Sequence, residues 1–293
     1  MKNLISPPRT IPYLQLYKNI ISAKKDTIKG NPNTEKLTLK SLETKVTARY
    51  SLFEQAINNN NLFGFVEDAS LLVHKEILIG CYEGRTKKVK EVFTLIEKNQ
   101  SAGFLRVCPY CGITLPKTYD HYLPKTLFPE LSVHALNLIP CCGTCNGIKG
   151  DVWKNETHIA FLHLYSAIIP NEEFLSVELF TKPSANSIGA RFQLHKPEDM
   201  DNDIWNILSY HYENLKLLER YNELANDEVT RIFTSCVCHL NDGGNSIAGF
   251  LVPLGKSEES LYGLNYWLAI LIKALSSNVI FETLVANAVN KNP

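Results

Sequence analysis

The sequence lacks any apolar segment long enough to cross a bilayer. Its longest largely apolar stretch runs from Leu261 to Ile272 and is followed by Lys273, whereas a membrane-spanning helix needs roughly 20 such residues. The first residues also lack the pattern of a signal peptide, because Pro7, Pro8 and dispersed charges interrupt them. We therefore expect a cytoplasmic protein with no membrane segment.

The P-loop pattern GxxxxGK[ST] is also missing, so any nucleotide hydrolysis linked to this protein is expected on another chain. No internal repeat is found, and no low-complexity tract is present beyond the four asparagines at 58–61. What the sequence does have is 293 residues, of which 45% are hydrophobic. That is enough to bury a core in one or two domains, and nothing in the composition indicates disorder.

A formal net charge of zero conceals an uneven distribution of charge. Residues 1–100 carry 16 Lys and Arg against 10 Asp and Glu, residues 101–154 carry 5 against 3, and residues 155–293 carry 9 against 17. A basic half could face the phosphates of a nucleic acid, and an acidic half could meet a basic partner. The same numbers also fit a solvated surface that is simply uneven in charge.

Four of the eight cysteines form two C-x2-C pairs, Cys108 with Cys111 and Cys142 with Cys145. In a reducing compartment such spacing indicates metal binding rather than disulfides. Four thiolates can wrap a tetrahedral Zn²⁺ at about 2.3 Å per sulfur and leave no open coordination position. We therefore predict a structural zinc site. The alternatives are buried free thiols, or a pairing in which Cys141 replaces Cys142.

Polar residues follow each cysteine pair in a specific order. Asp120-His121 and Asn137 lie between the pairs, and Asn146 and Lys149 follow the second pair. Over residues 105–154 this pattern resembles the HNH endonuclease family, whose fold is a ββα-metal unit. Within that family it is most similar to proteins of bacterial anti-phage defence operons, such as the nuclease subunit of Septu-like systems, which act beside an ATPase.

The resemblance implies a role for each of these residues. His121 would be the general base, since neutral imidazole can take a proton from water. Asp120 and Asn146 would hold a single Mg²⁺ or Mn²⁺, Asn137 would orient the loop that carries His121, and Lys149 would contact a phosphate. Asn146 stands where the founding pattern has a histidine, which bears on metal preference. Taken singly, Asp120 and His121 could equally be structural residues.

The function that the resemblance implies is hydrolysis of DNA phosphodiester bonds, leaving 5′-phosphate and 3′-hydroxyl ends. One such centre cuts one strand, so double-strand cleavage would need a homo-oligomer or two encounters. An ATPase partner protein would dock on the acidic C-terminal half. Two alternatives stay open: an RNA nuclease that cuts transfer RNA with the same centre, and a catalytically degenerate, zinc-stabilised subunit that binds nucleic acid or acts as an adaptor.

The predicted fold class is α+β, with a zinc-stabilised ββα-metal (HNH) unit embedded in mostly α-helical regions. We expect a helical N-terminal region at 1–104, the nuclease unit at 105–154, and a mostly helical region at 155–293 with a β-hairpin near 174–195. Apolar spacing predicts one long helix or two over 204–232, another helix over 257–285, and a helix through 161–164 that ends before Pro170. His134 has no role in the family pattern and is expected at the surface.

Overall fold

Helices built from apolar residues at three- and four-residue spacing dominate the computed structural model, which describes residues 1–182 and 187–289. Those ranges contain twelve α-helices and three two-stranded antiparallel sheets. The predicted α+β class is therefore confirmed. Contacts group residues 3–168 into one compact unit, the N-terminal unit, and residues 1–2 with 169–293 into another, the C-terminal unit. Whether 105–154 is a domain of its own stays a prediction.

The N-terminal unit carries seven of these helices and two of the sheets. Its helices are α1 (Tyr13–Ser22), α2 (Thr34–Ser41), α3 (Glu43–Asn58), α4 (Ala69–Leu72), α5 (Lys75–Glu83), α6 (Lys87–Lys98) and α7 (Gly143–Lys149). Its strands are β1 (Thr27–Ile28), β2 (Asn31–Pro32), β3 (Thr118–His121) and β4 (Leu138–Cys141). Short 3-10 turns at Phe104–Arg106, Pro129–Leu131 and Ala135–Asn137 complete it.

Helix α6 shows how the sequence specifies these elements. The Thr86 hydroxyl oxygen accepts a hydrogen bond from the Val89 amide and so caps the helix, and Val89, Val92 and Ile96 form one fully buried face. Each such side chain stabilises the fold by about 1.5–3 kcal/mol through burial. The opposite face carries lysines and stays in solvent.

Strands β3 and β4 pair antiparallel, with Asp120 opposite Ile139 and His121 opposite Leu138. Helix α7 begins two residues after β4 ends. Two strands and a helix thus follow one another in the ββα order, and all eight strand residues except Thr118 are buried. This small unit places Asp120 and His121, both on β3, beside α7, the helix that carries Asn146.

The segment after α7 differs from its prediction. No helix passes through residues 161–164; the chain there makes turns and a single bridge between Lys154 and Ile159. Long-range hydrogen bonds hold it instead, from the Tyr122 hydroxyl to the Phe161 carbonyl and from the Tyr165 hydroxyl to the Leu138 carbonyl, both 2.9 Å. The segment therefore packs against β4 and the residue that follows β3, and it forms no helix of its own.

The C-terminal unit begins with a hairpin where the apolar alternation predicts one. Its strands are β5 (Leu175–Lys182) and β6 (Ser187–Leu194), paired from Leu175 opposite Leu194 to Lys182 opposite Ser187. Residues 183–186, where the turn between the two predicted strands is expected, lie outside the described residues. The helices that follow are α8 (Asn202–Asn214), α9 (Leu217–Asn241), α10 (Ile247–Tyr262), α11 (Trp267–Ser276) and α12 (Val279–Val289).

Of the two predicted helical regions, 204–232 forms two helices, which is one of the alternatives that its spacing allows, whereas 257–285 is broken. Helices α8 and α9 separate at Lys216, whose backbone is left-handed with φ 52°. The predicted helix 257–285 is three helices, and α10 starts ten residues early, capped by the Ser246 hydroxyl oxygen, which accepts from the Gly249 amide. Within the described ranges no single helix is long and apolar enough to cross a membrane; α11 and α12 meet that test only as a pair, bent by 73°.

The buried face of α6 gives a first test. Ile96→Ala should lower the free energy of unfolding of the N-terminal unit by about 2–5 kcal/mol, because the side chain is fully buried and its removal leaves a cavity. Ile28→Ala makes the same chemical change at a residue that is 52% exposed and should cost much less. Urea titration followed by tryptophan fluorescence measures both, and equal losses would contradict the described packing.

Candidate metal centre and active site

Four cysteine thiols converge at the start of α7. Cys108 and Cys111 lie on the turn before β3, Cys142 is the N-cap residue of α7, and Cys145 lies in its first turn. All four are buried, and their Sγ atoms lie within 4.8 Å of one another. The Cys142 amide donates to the Cys108 Sγ at 3.3 Å. Four soft donors at this separation fit a tetrahedral Zn²⁺, so the residues that the spacing predicts are brought together.

Cys141 is not part of this cluster. Its Sγ lies 3.4 Å from the Thr118 hydroxyl oxygen, on the sheet side of the chain, and burial raises its pKa to about 12. The competing pairing of Cys141 with Cys145 is therefore wrong for the described structure. Cys142 is the member of the second pair that faces Cys108 and Cys111.

Asp120 lies on β3 with only 1% of its surface exposed. Its Oδ1 is 3.1 Å from the Lys149 Nζ, and its Oδ2 accepts a hydrogen bond of 2.9 Å from the Tyr110 hydroxyl. Burial raises the pKa of the carboxyl, while the charge of Lys149 and the bond from Tyr110 act in the opposite direction. The buried ammonium is thus the main support for a charged Asp120.

Lys149 does not take the position expected of it. Its side chain is fully buried, and besides the pair with Asp120 its Nζ donates to the His121 carbonyl at 3.1 Å. The rings of Tyr122 and Phe161 lie 5.9 Å and 5.8 Å from the same nitrogen. A lysine held in this way cannot contact a phosphate in solvent, so that expectation is wrong for this structure. Instead, the buried Lys149 side chain binds two residues of β3, Asp120 and His121.

His121 has one ring nitrogen fixed by the backbone. Its Nε2 lies 2.9 Å from the Ser132 carbonyl oxygen, and because a carbonyl can only accept, Nε2 must carry the hydrogen. Burial lowers the pKa of the ring to about 3, so it is neutral at pH 7. In the neutral ring Nδ1 then holds the free lone pair. The Tyr82 ring packs edge-on at 4.4 Å and restricts rotation of the imidazole.

Asn137 holds the chain on both sides of this hydrogen bond. Its Oδ1 accepts from the Leu123 amide at 2.8 Å, and its Nδ2 donates to the carbonyls of Leu123 and Leu131 at 3.0 Å and 3.2 Å. Leu123 follows His121 by two residues, and Leu131 precedes Ser132. A single buried amide therefore fixes both the histidine segment and the segment that supplies its acceptor, a geometry that suits an orienting role.

Asn146 completes one wall of a surface cleft of about 310 Å³. Its Nδ2 donates to the Thr118 hydroxyl at 3.2 Å. Of the five polar residues to which the family resemblance gives a role, three line this cleft, namely Asp120, His121 and Asn146. The others, Asn137 and Lys149, lie behind it. Further lining residues are Tyr82, Arg85, Thr118, Tyr119, Pro124, Lys125, Gly150 and Asp151.

Several of the residues that shape the site carry no sequence signal of their own. Ser132 acts through its carbonyl, and its hydroxyl donates to the Leu78 carbonyl at 2.9 Å. Arg85 lies over the Tyr82 ring at 4.3 Å, on a turn far from the motif. Tyr110 is different, because it lies inside the first cysteine pair and so could have been examined as a neighbour of the metal centre.

The surface position expected for His134 is wrong. The residue is fully buried, its Nδ1 accepts from the Leu136 amide at 3.2 Å, and its ring packs edge-on against Tyr50 and Phe53 at 4.4 Å and 5.0 Å. Its Nε2 lies 3.4 Å from a carboxylate oxygen of Glu54. His134 therefore joins the turn before β4 to α3, away from the cleft.

Comparison with known proteins finds partial similarity. The chain is 31% identical over 132 residues to Protein ea31 of Escherichia phage lambda, a match that covers 43% of each chain. It is 42% identical over 48 residues to the Septu protein PtuB of Bacillus thuringiensis, which covers 15% of this chain and 19% of that protein. The chain thus spans less than half the length of either relative. No family model and no solved structure matches it.

The cysteine cluster gives a second prediction. The protein should contain one zinc per chain, and Cys145→Ser should lose it, because three thiolates and a hydroxyl bind zinc far less tightly. Cys238→Ser, at an exposed cysteine, is the matched control and should keep the metal. Elemental analysis after gel filtration measures both. Full zinc in the Cys145 variant would show that the cluster is not the binding site.

Proposed function

We propose that this protein is a metal-dependent endonuclease of the HNH type that hydrolyses phosphodiester bonds of DNA. The observation that carries the proposal is the orientation of His121 at the cleft, with its Nε2 hydrogen directed to the Ser132 carbonyl and its lone pair on Nδ1. The four-cysteine cluster and the ββα order around it support the same function.

The chemistry assigned to His121 is general base catalysis. A neutral imidazole with Nδ1 unprotonated accepts a proton from water as the water oxygen attacks phosphorus. The proton moves to Nδ1, and the positive charge that forms on the ring is stabilised through the Nε2 hydrogen bond to the Ser132 carbonyl. Tyr82 and Asn137 keep the ring from turning away during this step.

Asp120 and Asn146 are the residues that would hold Mg²⁺ or Mn²⁺. Both line the cleft, and both offer hard oxygen donors of the kind these ions prefer. Each Asp120 oxygen accepts one bond in the structure, from Lys149 or Tyr110, and retains a second lone pair. A bound divalent ion supplies stabilisation of the charge that develops on the phosphate and on the departing 3′ oxygen.

The proposed biological context is anti-phage defence in the cytoplasm, acting beside an ATPase. The partial match to the Septu protein PtuB supports the link to a defence system. The acidic excess of residues 155–293, with 17 Asp and Glu against 9 Lys and Arg, is the proposed docking surface for that partner. Because one such cleft cuts one strand, cleavage of both strands would require two copies of the chain or two encounters with the duplex.

One observation favours a second candidate, a zinc-stabilised nucleic-acid-binding or adaptor subunit. The Lys149 ammonium neutralises Asp120 from within the fold and so weakens the attraction of this carboxylate for a cation. An adaptor would retain its function when His121 is replaced, whereas a nuclease would lose its activity.

The test is plasmid nicking by the wild type and by His121→Ala in millimolar Mg²⁺ or Mn²⁺, with EDTA as a control. The variant should be slower by a factor of about 10²–10⁴, because the general base is absent. His195→Ala, at an exposed histidine of the C-terminal unit, is the matched control and should nick at the wild-type rate. Cleavage of RNA alone would select the RNA nuclease, and no cleavage of either would favour the adaptor.

Asn137 gives a further prediction about the same step. Asn137→Asp keeps the acceptor for the Leu123 amide but turns the donor that faces two carbonyls into an acceptor. We expect kcat to fall by at least about tenfold with KM little changed, since the residue orients His121 and lies outside the cleft wall. Steady-state nicking kinetics measure this; a rise in KM alone would instead indicate a role in binding substrate.

A further inference from the structure

A second cavity adjoins the proposed active-site cleft. It has a volume of about 550 Å³ and lies between the end of α6, the 3-10 turn Phe104–Arg106 and the start of β3. The two depressions share Thr118 and Tyr119 of β3 in their walls.

Two exposed cations, Arg106 and Lys117, line the second cavity. Within the described residues neither side chain forms an ion pair, so their charges are available to a ligand. Glu97 is the one acidic side chain in that wall, and its Oε1 accepts a hydrogen bond of 2.5 Å from the Tyr119 hydroxyl. The wall therefore carries an excess of positive charge beside a cleft that we assign to a phosphodiester.

The aromatic residues of these walls are already packed. The Tyr119 ring stacks on Phe93 at 4.2 Å, and the Tyr82 ring packs against His121. Tyr82 and Tyr119 are both buried, and among the described lining residues they are the aromatic ones. Proteins that bind unpaired strands offer aromatic surfaces on which bases stack. Walls with exposed cations and without such a surface suit a duplex, whose bases remain stacked on one another.

We propose that the second cavity binds the backbone of duplex DNA next to the scissile bond, with Arg106 and Lys117 contacting phosphates. This proposal rests on the proposed nuclease function, because the position of the cut phosphate in the cleft determines how the duplex lies across the second cavity. Both residues lie outside the cysteine pairs and outside the predicted set of catalytic and metal-binding residues. Their contribution is electrostatic and independent of base sequence.

The test measures DNA binding by a variant that is expected not to cleave DNA. In the His121→Ala protein, affinity for a fluorescein-labelled 20-base-pair duplex is measured by anisotropy over a series of salt concentrations, with no Mg²⁺ or Mn²⁺ added. Adding Arg106→Ala and Lys117→Ala should weaken binding on every sequence and reduce the slope of log K against log salt by about 2, since each phosphate contact contributes about 0.9. Lys25→Ala with Lys40→Ala is the matched control, because these exposed lysines line neither cavity.

Each outcome bears on the proposal. An unchanged affinity and slope in the Arg106 and Lys117 variant overturns it, even when the wild type nicks plasmid and the nuclease function stands. Equal losses in the control variant also overturn it, because the effect would then be general charge. Tighter binding of single-stranded DNA or of duplex RNA overturns the choice of ligand. A lowered slope in a protein that does not nick supports the binding surface and removes the nuclease function.

Kinetics of the otherwise wild-type protein give an independent readout. With Arg106→Ala and Lys117→Ala, KM for nicking should rise while kcat is retained, since neither residue lines the cleft that holds His121. Zinc content should be unchanged, because both side chains are exposed and lie outside the cluster. A loss of kcat with KM unchanged would contradict the assigned role.

Discussion

The convergence of four cysteine thiols is the constraint on which the rest of the proposed site depends. Helix α7 has seven residues and could not form by itself in water. The cluster ties its first turn to the turn before β3, so that the two ends of the ββα segment are fixed to each other. Asn146 and Lys149 then point from α7 toward β3, where Asp120 and His121 lie. Zinc binding would supply the folding free energy that this small element lacks.

The buried pair of Asp120 and Lys149 is the second connection between α7 and β3, and it acts on two residues at once. The same ammonium binds the Asp120 carboxylate and the His121 carbonyl. Removing one partner of such a buried pair costs about 3–5 kcal/mol, because the other charge is left without compensation. Lys149 thus belongs to the structure of the site even though it does not reach the solvent. A change at this residue would alter stability and the geometry of β3 together.

How much could be read from the sequence depended on how local each feature is. The cysteine pairs and the hairpin at 175–194 follow from short-range spacing, and both are found as predicted. The burial of His134 could not be predicted, because the rings that surround it come from α1 and α3, at least about 80 residues earlier. The helix expected near Phe161 is absent from the described residues for a similar reason. The Phe161 carbonyl accepts a hydrogen bond from the distant Tyr122 hydroxyl instead of from a helical amide. Lys149 follows Asn146 at helical spacing, but only the fold shows that it points inward.

The arrangement around His121 is what separates a nuclease from an adaptor with the same zinc site. A structural zinc unit needs its four thiols and a small core, and buried polar groups add nothing to its stability unless every one is paired. Here the Ser132 carbonyl, the Ser132 hydroxyl bond to Leu78 and the three bonds of Asn137 all fix one imidazole at the edge of a cleft. An apolar side chain at residue 121 would serve an adaptor equally well. Burying and orienting a neutral histidine costs free energy. That cost has a function if Nδ1 accepts a proton from water, which is the role proposed for His121.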